Sequence, residues 1–208
     1  MANFGDVNFL FPDRVPTQQK LSREDINEFP LRSYDGPIRL ISETEHVAEA
    51  CVRLSRERVI GFDTETRPAF RKGQSFLPSL LQLAGSKCVY LFQLPRISLC
   101  EPLQALLADE TIIKSGVAVR DDIKGLQQHS FFEDAGFVDL SKISAGHGFL
   151  TRGLRNMSAN FLGFRIGKGA QRSNWGKTSL TQKQQIYAAT DAWVSRDLFL
   201  CFEKLDLL

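Results

Sequence analysis

Residues 59–66 read VIGFDTET. Val59, Ile60 and Phe62 start a buried strand, and then two carboxylates, Asp63 and Glu65, stand where a core strand would continue apolar. Strand side chains alternate between faces, so Asp63 and Glu65 point the same way, with their carbons about 6–7 Å apart. Unpaired buried carboxylates are too costly to keep without a partner. Either basic side chains neutralise this pair or a cation does.

The 208 residues suffice for one sizeable domain, with 43% hydrophobic and 24% charged residues as in ordinary globular proteins. Cys51, Cys88, Cys100 and Cys201 form no C-x-x-C pair, which argues against a zinc site or a disulfide framework and fits reduced thiols in a cytoplasmic protein. The N-terminus lacks the pattern of a signal peptide, and no apolar run is long enough to span a membrane. Charge is segregated. From Leu140 to Thr190 there is no Asp or Glu, while Lys142, Arg152, Arg155, Arg165, Lys168, Arg172, Lys177 and Lys183 all fall there. Such a stretch is either a solvated basic surface or a footprint for a polyanion, and an adjoining acidic catalytic cluster would favour the second.

Residues 1–37 hold Pro12, Pro16, Pro30 and Pro37 with scattered Phe and no regular period, so they are read as an extended arm ahead of a domain over 38–208. The domain opens with the strand IRLI (38–41) and a helix that Ser42 is placed to cap. The strand around VIGFDTET follows. LPSLLQLA and CVYLFQL flank Gly85-Ser86-Lys87 as a hairpin. A helix, the strand TIIKSGVA, a helix from about Arg120 to Gln128 and the strand GFVDL come next. The remainder is predicted helical, interrupted by a Gly-rich loop. A hairpin followed by alternating strands and helices gives a mixed sheet with helices on its faces.

Two further acids point inward. The last helix opens with Thr181-x-x-Gln184, a capping box, and within it Tyr187 and Asp191 share a face four residues apart. A buried Asp needs a partner, and one of the many arginines would serve as well as a catalytic role. In KSGVAVRDDIKGL, a buried stripe of Val119, Ile123 and Leu126 puts Asp122 at its border, about 60° away, and Asp121 toward solvent.

Together these motifs resemble the DEDD superfamily of 3′–5′ exonucleases, in its tyrosine subgroup. That subgroup includes ribonuclease D and the exonuclease domain of the Werner syndrome helicase. D-x-E matches Asp63 and Glu65; the second motif matches Gly116, Asp122 and Leu126; Y-x-x-x-D matches Tyr187 and Asp191. The flanks LLQLAGSKCVYLF and SNWGKTSLTQKQQIYAATDAW agree, and the likeness runs from about residue 38 to 205. It implies an α/β ribonuclease H-like fold with a mixed five-stranded sheet. It also implies two divalent cations, Mg²⁺ or Mn²⁺, about 3.5–4 Å apart. Asp63 would bridge them, Glu65 and Asp191 would share the nucleophile's metal, and Asp122 would hold the other through water. Tyr187 would orient the attacking water. The implied substrate is a single-stranded 3′ end of DNA or RNA, released as nucleoside 5′-monophosphates, with Thr64, Arg172, Trp175 and Lys177 as candidate contacts.

Two other classes compete. A silent binding module would have lost a carboxylate, and all four are present. A small-molecule phosphohydrolase has no need of an extended basic surface. GFRIGKGA lacks phosphate-loop spacing. His129 and His147 are read as structural, since Tyr187 fills the position of a base, and packing under the loop competes with base stacking for Trp175.

The helical register yields a test within one dipeptide. Asp122→Asn is expected to cripple nuclease turnover while leaving the fold intact, because an amide is a poor ligand for a hard cation. Asp121→Asn is expected to cost a few tenths of a kcal/mol through the helix dipole and little activity. Turnover and melting of the two variants check this, and the reverse pattern would overturn the register.

Overall fold

A computed structural model describes residues 15–69, 71 and 73–208; the part of the expected arm before Val15 lies outside them. Along the chain run α1 (Arg23–Glu28), β1 (Leu31–Arg32), β2 (Ile38–Ile41), α2 (Val47–Leu54), β3 (Val59–Thr66), β4 (Pro78–Ala84), β5 (Val89–Gln93), α3 (Leu94–Ile97) and α4 (Glu101–Ala108). Then follow β6 (Ile113–Gly116), α5 (Arg120–Gln127), β7 (Phe137–Asp139), α6 (Leu140–Gly146), α7 (Leu154–Met157), β8 (Arg165–Ile166) and α8 (Gln182–Lys204).

The main sheet has the order β2-β5-β4-β3-β6-β7. β4 is antiparallel to both β3 and β5, and the other pairings are parallel. Six strands therefore replace the five that the family likeness implies. The sixth is β7, which extends the sheet in register with β6, Ser115 opposite Val138. The predicted hairpin is present, closed by Gly85 N–H donating to the Cys88 carbonyl at 3.0 Å.

Alternation along β3 sorts the site. Ile60 and Phe62 enter the core beneath α2, α4 and α5 with Leu54, Leu103 and Ile123. Val59 lies on the opposite face, in the cluster that includes Val194 and Leu198 of α8. Gly61 shares that face, and a Cβ there would stand 1.9 Å from the Ala192 carbonyl oxygen. Asp63 and Glu65 continue the α8 face, while Thr64 faces α5. α8 begins at the predicted capping box, with Thr181 and Gln184 bonding each other's backbone N–H groups.

Residues 15–37 are less extended than their sequence implies. Ser22 and Asp25 form a capping box that starts α1, and β1 pairs in parallel with β8, an element that sequence reading left inside a loop. Thr17 exchanges two hydrogen bonds with the Asn160 amide, at 3.0 and 2.9 Å. The Tyr34 ring packs 5.9 Å from that of Trp193. Ser42 is not a cap: α2 is entered through a 3₁₀ turn at Thr44–His46 with no side-chain cap, and the Ser42 carbonyl accepts from Arg96 Nε at 3.1 Å. Among the described residues, no helix is long and apolar enough to cross a membrane.

Lys114 is 0% exposed in β6, with Nζ donating to the Asp109 carbonyl at 2.6 Å and lying 5.2 Å from the Phe137 ring centre. Burial pushes its pKa down from 10.5 to about 8, against the opposing pull of Asp109. Between those values the unfolded chain holds the proton and the folded chain does not, so stability rises with pH across that window. Relative to Lys114→Met, the wild type is expected to gain on the order of 3 kcal/mol between pH 8 and 10.5. Denaturant titrations at both pH values check this, and parallel curves would contradict it.

Candidate active site

Asp63 and Glu65 come from the end of β3, Asp191 and Tyr187 from α8, and Asp122 from the first turn of α5. The close seat of α8 on Gly61 sets the height of Asp191 over β3. α5 is seated on the start of β4, where a Cβ on Gly125 would come within 2.9 Å of the Pro78 ring and His129 Nε2 bonds the Pro78 carbonyl at 2.8 Å. That seat brings Asp122 to Thr64, whose hydroxyl donates to the Asp122 carboxylate. Asp121, its neighbour, is exposed. Thr64 N–H donates to Asp63 Oδ1 at 2.9 Å, and the Tyr187 hydroxyl bonds Asp191.

The acids sense one another. Burial raises Asp63 well above the carboxylate range, reinforced by the charges of Asp191 and Asp122. Burial, and then Asp63, Asp191 and Asp122, push Glu65 to about 10. Burial lifts Asp191 to about 7 against its bond from Tyr187, and lifts Asp122 against its bond from Thr64. Tyr187 is raised by burial, then by Asp191, Glu65 and Asp63. Among the described residues, no Lys, Arg or His forms an ion pair with any of the four acids. The arginine partner that the sequence allowed for Asp191 is not among them.

The side chains are not drawn to one point: among the described residues no three acids, His or Cys stand in a metal-holding arrangement. The chemistry of the donor set nevertheless fits a hard divalent cation. It is all oxygen and, among the described residues, has no ion-pair partner, so a cation would relieve the repulsion.

The candidate substrate contacts divide. The Thr64 hydroxyl is committed to Asp122. Arg172 and Lys177 are exposed on the loop before α8, where the Lys177 carbonyl accepts from Gln93 Nε2 at 3.3 Å. Trp175 is 1% exposed and packs with Leu80 and Leu91, its ring centre 6.0 Å from that of Tyr187, so its face is covered and unavailable to a base. His147 is exposed, and its carbonyl accepts from Gln18.

Two residues near the acids escaped sequence reading. Arg67 follows Glu65 by two positions and lies beside Gly176 of the loop; the run of acids drew attention away from it. Gln82 is the cross-strand partner of Asp63, and the signal was a lone amide inside the apolar LPSLLQLA.

A family model described as 3′–5′ exonuclease matches residues 38–205. The Mus musculus bifunctional 3′–5′ exonuclease/ATP-dependent helicase WRN is 31% identical over 201 residues, 90% of this chain and 14% of that protein. Ribonuclease D of Granulibacter bethesdensis is 30% identical over 185 residues, 86% of this chain and 44% of that protein. The chain thus spans less than half the length of either relative. The crystal structure of the Aedes aegypti Nibbler EXO domain shares the fold, with a TM-score of 0.73 at 24% identity over 83% of this chain and 91% of that domain.

Repulsion within the cluster has a measurable cost. The folded acids hold protons that the unfolded chain releases, so metal-free wild type is expected to lose stability as pH rises from 3.8 toward the Asp191 value of about 7. Asp63→Asn replaces a buried acid, which the folded protein must keep protonated at a cost, by a neutral amide of nearly constant shape and should stabilise the metal-free protein by about 1–2 kcal/mol at pH 7.5. Melting in EDTA checks this, and a lower melting temperature for the variant would refute it.

Proposed function

Because the chain belongs to the 3′–5′ exonuclease family, we propose that it removes nucleoside 5′-monophosphates from the 3′ end of single-stranded DNA or RNA in a reaction that depends on Mg²⁺ or Mn²⁺. The observation that carries this reading is that acids from three separate elements raise one another's pKa and have no ion-pair partner among the described residues. Asp63, Glu65, Asp122 and Asp191 would hold two divalent cations, which when bound supply an activated water and offset charge on the departing 3′ oxygen.

The chain's own groups supply position. Tyr187, a phenol with an ordinary pKa of about 10, would orient the attacking water by a hydrogen bond rather than take its proton. Thr64 holds Asp122 in place through its hydroxyl. Arg172 and Lys177, exposed on the loop before α8, offer charge to the incoming phosphates.

The test is digestion of 3′-tailed, 5′-labelled DNA and RNA oligonucleotides, run side by side. Stepwise shortening from the 3′ end with Mg²⁺ or Mn²⁺ is expected, stopping in excess EDTA. Asp191→Ala should lower turnover a hundredfold or more, since a metal ligand contributes several kcal/mol to charge stabilisation. Tyr187→Phe should lower kcat while leaving metal affinity intact. Robust digestion in EDTA would overturn the metal-dependent mechanism. Strand binding without cleavage would favour a silent module of the same fold.

A further inference from the structure

Gln82 sits in the middle of β4, 0% exposed, and neither its Nε2 nor its Oε1 finds a hydrogen-bond partner among the described residues. Trp175 Nε1 is buried in the same condition. Buried polar groups are rarely left unpaired, and an unpaired one in a core calls for an explanation.

Position and polarity together supply it. Gln82 pairs with Asp63 on β3 and with Leu91 on β5, so its side chain rises on the α8 face beside Asp63. Cross-strand Cβ atoms stand about 4.5–5.5 Å apart, a gap that a glutamine side chain spans. Asp63 Oδ1 already accepts from Thr64 N–H, and among the described residues no donor reaches Oδ2. Trp175 belongs to the cluster containing Leu80, Ala84 and Leu91, which are the two same-face neighbours of Gln82 on β4 and its partner on β5. An indole N–H only donates, a carboxylate only accepts, and an amide does both. One arrangement satisfies all three unpaired atoms: Trp175 Nε1–H to Gln82 Oε1, and Gln82 Nε2–H to Asp63 Oδ2.

We infer that Gln82 is a positioning residue for Asp63, itself oriented by Trp175, so that the loop before α8 is linked to the carboxylate cluster through a buried amide. The assignment rests on the metal-dependent reading above. Its chemical logic lies in the neutrality of the amide. A Lys or Arg at this position would fix Asp63 but cancel the charge that attracts a cation, whereas an amide fixes the carboxylate plane and leaves its charge in place.

The experiment measures Mn²⁺ binding by calorimetry and metal-free melting for wild type, Gln82→Met, Trp175→Phe and the double variant. Gln82→Met is expected to weaken Mn²⁺ affinity tenfold or more and to lower the metal-free melting temperature, because Trp175 Nε1–H and Asp63 Oδ2 each lose their partner. Trp175→Phe keeps a ring and loses the N–H; it should weaken affinity in the same direction, by less. The double variant should bind no worse than Gln82→Met, since both break one chain. Should Gln82→Met fail to fold, Trp175→Phe carries the test alone. Affinity within twofold of wild type for the folded variants, or strict additivity in the double variant, would overturn the inference and leave the exonuclease reading untouched. Wild type that binds no Mn²⁺ would overturn both.

Discussion

The contact on which the rest depends is the approach of β3 to α8 at Gly61. Any side chain there would collide with the Ala192 carbonyl and with the Arg196 backbone nitrogen. The helix meets the sheet through Ala188, Ala189 and Ala192, all 0% exposed, so backbone lies almost on backbone. Ser115 Oγ and Arg196 Nε fasten the seam by donating to the Ser195 and Val59 carbonyls at 3.0 and 3.2 Å. With helix and strand at that spacing, Asp191 shares an electrostatic field with Asp63 and Glu65. The chemistry of the site is thus set by a packing decision two residues upstream of its first acid.

The same strand serves both sides of the sheet. Odd positions of β3 carry Asp63 and Glu65 toward α8, and the even position between them turns Thr64 toward Asp122 on α5. Among the described residues, the donors found on these carboxylates are neutral: the Thr64 N–H, the Thr64 hydroxyl and the Tyr187 hydroxyl. Neutral donors fix direction without removing charge. The fold therefore orients its acids while leaving them uncompensated, at a cost that apolar packing on both faces must offset.

Much of this was legible in the sequence, for identifiable reasons. Period-two alternation placed Asp63 and Glu65 on one face, and the 100° helical step separated Asp122 from Asp121, because both rules are local. The Thr181 capping box was readable for the same reason. What escaped was set by distant partners. Gln82 matters through its register with Asp63, which only the paired β3 and β4 reveal. Arg165–Ile166 is a strand because Leu31–Arg32 lies beside it, more than a hundred residues away in sequence. For Trp175 the sequence leaves packing and stacking in competition, and burial against Leu80 and Leu91, not its neighbours in the loop, decides for packing. The capping box at Ser22 was local, but its N3 residue is Asp25 in place of the more common Glu or Gln.

Charge counting along the chain needs a structural correction of the same kind. The eight basic residues between Leu140 and Thr190 are not one surface. Arg155 donates to the Ile166 carbonyl and to Asn27 Oδ1, at 3.1 and 2.9 Å, and Arg165 Nε donates to the Phe29 carbonyl at 3.0 Å. These two arginines hold residues 27–30 against β8. Their closeness also has a cost, since burial and the charges of Arg165 and Arg23 lower the Arg155 pKa. Lys168, Arg172 and Lys177, by contrast, are exposed on the loop that leads into α8. A positive stretch in sequence is therefore part brace and part open charge. The open part lies on the segment that carries Trp175 beneath it, so the loop with charge to offer a phosphate backbone is packed through its one large aromatic against the sheet that bears the acids.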